Sequence, residues 1–357
     1  MIHISRRGDI TRAKSLLIKA IAIILALLLC TLLTTMATGE APVKVFGSLI
    51  NGSFGSKRKT WIFLQNTAIL LCISLAVTPA FKMRCWNLGA EGQVLAGALA
   101  TAACMILLAD KLPAGLLFVV MIVSAILAGA IWAAIPAFFK AKWNTNETLF
   151  TLMMNYVATQ IVAYYVKIWE NPKGSNNVGV INQSSQAGWL PQLVNKQLLI
   201  ILVVLALTIF TYIYLKYSKH GYEIAVVGES ERTARYIGIN VSKVVIRTMI
   251  LSGAISGIAG FLLVSGINHT IAAAIAGGQG FTAVMVSWLS KFNPFIMILS
   301  SALLIFMDAG AGDISTSFGL NRSFGGILTG IIIFFIIGSE FFINYKLSFS
   351  RKNKEEK

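Results

Sequence analysis

YSKHGYEIAVVGESERTARYIGINVSKVV, residues 217 to 245, is a polar island between two long apolar runs. In a chain of 357 residues that is 56% hydrophobic and only 12% charged, a stretch carrying Lys219, Glu223, Glu229, Glu231, Arg232, Arg235 and Lys243 has to lie in water. Its charges are of mixed sign and small residues punctuate it, which suits a short docking helix better than a repelling tail. The centre, Glu229 to Asn240, begins beside Gly228 with capping residues and ends at Gly238, a residue type that stops helices. The pattern predicts about two helical turns within an aqueous loop over 217–244.

Outward from the island, the remainder reads as an all-α polytopic membrane protein with about ten transmembrane or partly re-entrant helices. The expected segments are 16–37, 61–80, 87–109, 113–139, 147–168, 197–216, 245–268, 279–290, 295–310 and 324–344, together one membrane domain over 1–357. The basic start MIHISRRGDITRAKSLLIK resembles a signal peptide, but its apolar run is longer than such a region and further spans follow, so an uncleaved first helix is expected. A net charge of +16 invites a nucleic-acid reading; no aqueous domain is long enough to gather those bases, and membrane topology accounts for them better. With the N-terminus inside, most of the 30 basic residues fall on inner segments, which puts both termini and the island in the cytoplasm. Lys44, Lys57, Arg58 and Lys59 run against that bias. The loop 169–196, rich in Gly, Pro and Asn, is then extracellular and irregular.

Two spans look broken. Asn87-Leu-Gly-Ala-Glu-Gly-Gln93 puts glycines, amides and a carboxylate directly before an apolar helix, and bare backbone at such depth needs protein or a water-filled cavity to satisfy it. Gly277-Gly-Gln-Gly280 precedes a run over 281–290 that reaches only about 15 Å, half the hydrocarbon core. Asn87, Glu91, Gln93 and Gln279 are therefore candidates for lining a substrate path, with Asn155 two turns inside its own helix as a fifth. Glu91 has a second reading, as a boundary carboxylate solvated or paired with Arg84, and Asn155 a second as a helix-to-helix hydrogen bonder. Asn146 and Glu147 read as a helix cap and its dipole partner. The halves 61–168 and 197–344 could be inverted repeats on this pattern. Small-residue faces at Ser252-Gly253, Ser256-Gly257 and Gly260, and at Gly326 and Gly330, read as helix packing. Trp132, Trp143, Trp169, Trp189 and Trp288 read as an interfacial belt.

Four stretches in order carry a resemblance. VGESERTARYIGINVSKVVIRTMILSGAISGIAG (227–260), WNLGAEGQVLAGALATA (86–102), NETLFTLMMNYVA (146–158) and GGQGFTAVMVSWLSKFNP (277–294) resemble permease subunits of bacterial ABC importers, in the branched-chain amino acid and simple-sugar permease superfamily. They look most like the nucleoside and simple-sugar branch associated with basic membrane proteins. The resemblance implies alternating access, an ATP-binding cassette ATPase on a separate chain, a second permease subunit in a heterodimer, and a substrate-binding lipoprotein. It makes the island the coupling segment, where Glu231, Arg232, Arg235, Tyr236 and Gly238 are the candidates for ATPase contact, since residues three or four apart share a helix face.

What is missing from the sequence agrees with a transport subunit. No G-x-x-x-x-G-K-[ST] loop is present, so ATP would be hydrolysed elsewhere. The histidines are His3, His220 and His269, and Cys30, Cys72, Cys85 and Cys104 stand singly, so neither a catalytic group, a metal site nor a cofactor is expected. The alternative is an ion-coupled secondary transporter of a small polar solute, which the scarcity of acidic residues in apolar interiors disfavours.

Overall fold

The computed structural model describes residues 2–6 and 11–349. The basic residues that the topology count takes from position 7 and from 351 to 357 lie outside them. Apart from one antiparallel ribbon, β1 (Ile2–Arg6) with β2 (Tyr345–Phe349), every regular element is helical. The membrane segments expected as one domain are divided into two compact units, residues 64–302 and the remaining flanks.

In the flanking unit, α1 (Arg12–Thr38) runs to Gly39, whose left-handed backbone (φ 72°) ends it. The next stretch, expected as a loop over 38–60, is instead a helix, α2 (Pro42–Phe54). Proline sits at its first turn, and Val45, Leu49 and Ser53, four residues apart, form its buried face. The Lys57-Arg58-Lys59 patch is the first turn of α3 (Lys57–Lys82), where Lys59 pairs with Asp313 at 2.6 Å. Asp313 belongs to α12 (Pro294–Ser317), and α13 (Arg322–Asn344) packs on α1, where Glu340 meets Lys19 at 2.9 Å. Asp313 and Glu340 are therefore each neutralised by a lysine, while Asp308, the third acidic group on these two helices, accepts from the Thr329 hydroxyl at 3.4 Å. Gly326 and Gly330 were expected to pack helices together, but a β-carbon at either would meet nothing within 4 Å.

The central unit holds α4 (Ala90–Leu108), α5 (Ala114–Trp143), α6 (Glu147–Trp169), α7 (Leu198–Tyr217), two short helices α8 (Lys219–Glu229) and α9 (Glu231–Tyr236), α10 (Val241–Phe261), which continues as a π-helical stretch over Leu262–Asn268, and α11 (Gln279–Leu289). Its densest packing joins α4, α5 and α10. Gly257 lies against the carbonyl of Ala125, Gly253 against that of Gly129, and Gly260 against that of Val94, with no room for a β-carbon at any of them. The Ser-Gly repeat of α10 thus does pack, as the spacing predicts. Gly257→Leu is expected to cost about 3 kcal/mol through overpacking and to lower the melting temperature of the purified complex sharply, while Gly330→Leu leaves it unchanged. Equal melting temperatures would show that α5 and α10 can separate without cost.

Among the described residues, nine helices are long and apolar enough to cross a membrane. The tenth expected segment, 279–290, is α11 and has only eleven residues. Its role is nevertheless clear from where the chain goes. The π-helical stretch ends beside the 169–196 loop, where the N–H of Ile181 donates to the carbonyl of His269 at 2.7 Å and that of Leu190 to Ser265 at 2.9 Å. At the far end of α11, Ser287 bonds Thr78 near the end of α3 at 2.9 Å. Residues 269–290 therefore traverse the unit from end to end, the first half as turns and the second as helix.

Candidate functional site

The break before α4 is a fully bonded polar junction. After α3 the chain turns at Arg84 (φ 59°) and runs without helix to Gly89. The side-chain oxygen of Asn87 accepts from the Gly89 N–H at 3.0 Å and from the Gln93 amide at 3.2 Å, while its amide donates to Ser252 at 2.9 Å. Ser256 donates to Gln93 at 3.1 Å. From α6, Thr151 accepts from the Leu88 N–H at 3.2 Å, and Asn155 both accepts from the Gly92 N–H and donates to the Leu88 carbonyl, each at 2.8 Å. Asn146 caps α6 through the Leu149 N–H at 3.1 Å, and Glu147 pairs with Lys140 at 3.0 Å.

Asn87, Gln93 and Asn155 are buried, at 0%, 1% and 6% exposure, and they satisfy one another and the backbone. They hold the broken segment in shape rather than opening onto a cavity in this conformation, which favours the helix-bonding reading of Asn155. Satisfied in this way, the unpaired backbone of residues 87–92 carries little of the penalty that buried polar groups otherwise impose.

Glu91 behaves differently. Its two carboxylate oxygens accept from the backbone N–H groups of Gly278, at 2.9 Å, and Gly280, at 2.8 Å. Arg84, the partner considered from the sequence, is not the one the structure supplies. One carboxylate in the first turn of α4 therefore caps the positive end of α11 as well. The Gly-Gly-Gln-Gly sequence suits this contact: Gly277 and Gly278 take left-handed backbone at φ 60° and 76°, and a β-carbon on Gly280 would lie 2.7 Å from the Glu91 nitrogen. Gln279, the remaining path candidate, is half-buried, and its side-chain oxygen is shielded from solvent with no bond to a described residue.

The island forms two helices rather than one. Gly228, expected near a helix start, is inside α8 and lies against the Lys82 carbonyl at the end of α3. Glu223 of α8 bonds Arg247 of α10 at 2.7 Å, and the Arg247 hydrogen bond holds the Glu223 carboxyl below its usual range. Ser230 divides the helices and caps α9, accepting from the Thr233 N–H at 3.2 Å. Gly238 (φ 83°) ends the turn, as its type predicts.

Beneath α9, Ala234 is wholly buried in an apolar cluster with Met83, Cys85, Ile224, Val227, Val241 and Val245. The opposite face is open: Glu231, Arg232, Arg235 and Tyr236 are exposed, Tyr236 by 92%, and Arg235 approaches Glu231 at 3.6 Å. Ile239 turns inward to the cluster and does not share that face. So α9 shares one apolar cluster with Met83 and Cys85, the residues that lead into the α4 break. Sequence reading missed this seat, although Ile224 and Val227, three apart on α8, carry its signal.

Nine membrane-length helices among the described residues, an eleven-residue helix held to one of them by a single carboxylate, and a short exposed helix outside them fit a membrane transport subunit. The chain belongs to the family described as branched-chain amino acid transport system / permease component, whose pattern matches residues 61–337. It is 30% identical to the guanosine ABC transporter permease protein NupP of Bacillus subtilis, over 92% of this chain and 95% of that one. It is 28% identical to the glucose ABC transporter permease protein TsgB13 of Haloferax volcanii (90% and 87% covered) and 25% identical to the nucleoside ABC transporter permease protein NupB of Lactococcus lactis (91% of each). The chain is thus a multi-pass plasma-membrane permease, a transport subunit and not an enzyme, and its family implies an ATPase and a substrate-binding protein as partners.

Proposed function

We propose that this chain forms half of the path of an importer for nucleosides, working by alternating access with α9 gripped by the ATPase in the cytoplasm. A second permease chain supplies the other half, and a lipid-anchored binding protein delivers substrate outside. The observation that carries the mechanism is the apolar cluster that Ala234 of α9 shares with Met83 and Cys85, next to the α4 break whose Glu91 holds α11. A shift of α9 on ATPase closure reaches α11 through that short series of contacts. Two of the three relatives above bear nucleoside or guanosine names, and the third a glucose name. The substrate class is tested by uptake of labelled guanosine into cells carrying the full importer. Excess unlabelled uridine or adenosine is expected to compete and glucose is not; competition by glucose alone would assign the sugar instead.

A further inference from the structure

Trp86 and Trp288 come from the two broken segments, one just before the α4 junction and one at the end of α11, and they stack with ring centroids 5.6 Å apart and planes 29° apart. Each is half exposed, at 47% and 46%. Phe81, 1% exposed, meets both edge-on at 5.7 and 6.1 Å, and Phe292 braces Trp288 at 5.2 Å. A hydrogen bond between Thr78 and Ser287 and one from Ser290 to Ser300, both 2.9 Å, hold the end of α11 that carries Trp288 in the closed arrangement. Trp86 follows Cys85, a member of the cluster that buries Ala234 of α9.

An interfacial belt, the role expected for Trp288, does not call for two indoles from separate segments to share a face on a buried aromatic floor. We propose that the Trp86–Trp288 pair is a station for the planar base of a nucleoside leaving the path on the cytoplasmic side; this rests on the nucleoside reading above. Stacked bases lie about 3.4 Å apart, so a base between the two indoles needs them about 7 Å apart, and a small movement of α11 away from the α4 junction provides that. A base so inserted makes two stacked contacts where the closed pair makes one, and every base has the required face. A free sugar has no such face and gains nothing from opening the pair. The station therefore selects for the base while remaining tolerant of which base it is.

The test uses the whole complex, purified without nucleotide or binding protein, and measures guanosine binding by equilibrium dialysis with ribose as a control. Trp86→Ala and Trp288→Leu are expected to weaken guanosine binding about tenfold, the scale of one lost stacking partner, and Trp288→Phe to stay within about twofold. Trp288→Leu keeps apolar bulk, so a residue that only packs would bind guanosine normally as leucine; that result, or ribose binding as well as guanosine, overturns the station. A wild-type complex that takes up no nucleoside at all would instead remove the substrate reading beneath it.

Discussion

Glu91→Gln is expected to cut uptake at least tenfold while leaving the complex assembled. The carboxylate offers one oxygen to each of two N–H donors, Gly278 and Gly280. An amide offers one oxygen and one NH2, so one donor of α11 would face another donor. A hydrogen bond to a charged group contributes about 2 kcal/mol, which amounts to roughly thirtyfold in the population of the clamped state. The helix end also loses its complementary charge. The polar network of Asn87, Gln93 and Asn155 bonds other groups and is left intact, so the break before α4 should hold. Gly280→Ala attacks the same contact from the other side, because its β-carbon would lie 2.7 Å from the Glu91 nitrogen. Initial uptake rates in vesicles, normalised to assembled complex, check both. Normal rates in the two variants would reduce Glu91 to a fixed boundary residue.

Arg235→Glu combined with Tyr236→Ala is expected to abolish stimulated ATP hydrolysis and to lose the ATPase on purification, with the permease still inserted. Neither side chain is part of the buried cluster, and Tyr236 is 92% exposed, so little folding energy is at stake. Exposed tyrosine and arginine are the residue types that dominate protein contacts, at about 2 kcal/mol or more each when they sit at the centre of an interface. Losing both, with one charge reversed, amounts to a thousandfold or more in affinity by the same scale. Ala234→Glu makes the contrasting change: it places a charge in the seat shared with Met83 and Cys85 and should damage folding as well as coupling. A double variant that copurifies with normal ATPase and hydrolyses ATP in response to loaded binding protein would make α9 a solvated connector.

The long apolar runs, the aqueous island and the Gly238 stop were legible because each depends on local composition. The helices α2 and α8 were not, since the first read as a loop between spans and Gly228 of the second read as the start of a helix. Gly52 and Gly228 are instead points where another segment's backbone comes too close for a side chain, the α12 backbone at Ala309 in one case and Lys82 in the other. The type of Asn87, Gln93 and Asn155 signalled a break in the membrane helices, yet polar residues that satisfy each other look the same in sequence as polar residues lining a path. The partners of Glu91 stand 187 and 189 residues along the chain, beyond any local pattern, while nearby Arg84 was the partner that proximity suggested. Trp86 and Trp288 meet for the same reason, through the path of residues 269–290 across the central unit.

The most direct test of a permease driven through α9 is labelled guanosine uptake into proteoliposomes that hold the permease pair and its ATPase, with loaded binding protein outside. Uptake is expected to require ATP and Mg2+ inside, to stop with a hydrolysis-deficient ATPase, and to continue when ionophores collapse every ion gradient. Uptake that needs no ATP and disappears with the ionophores would contradict the account and establish ion coupling.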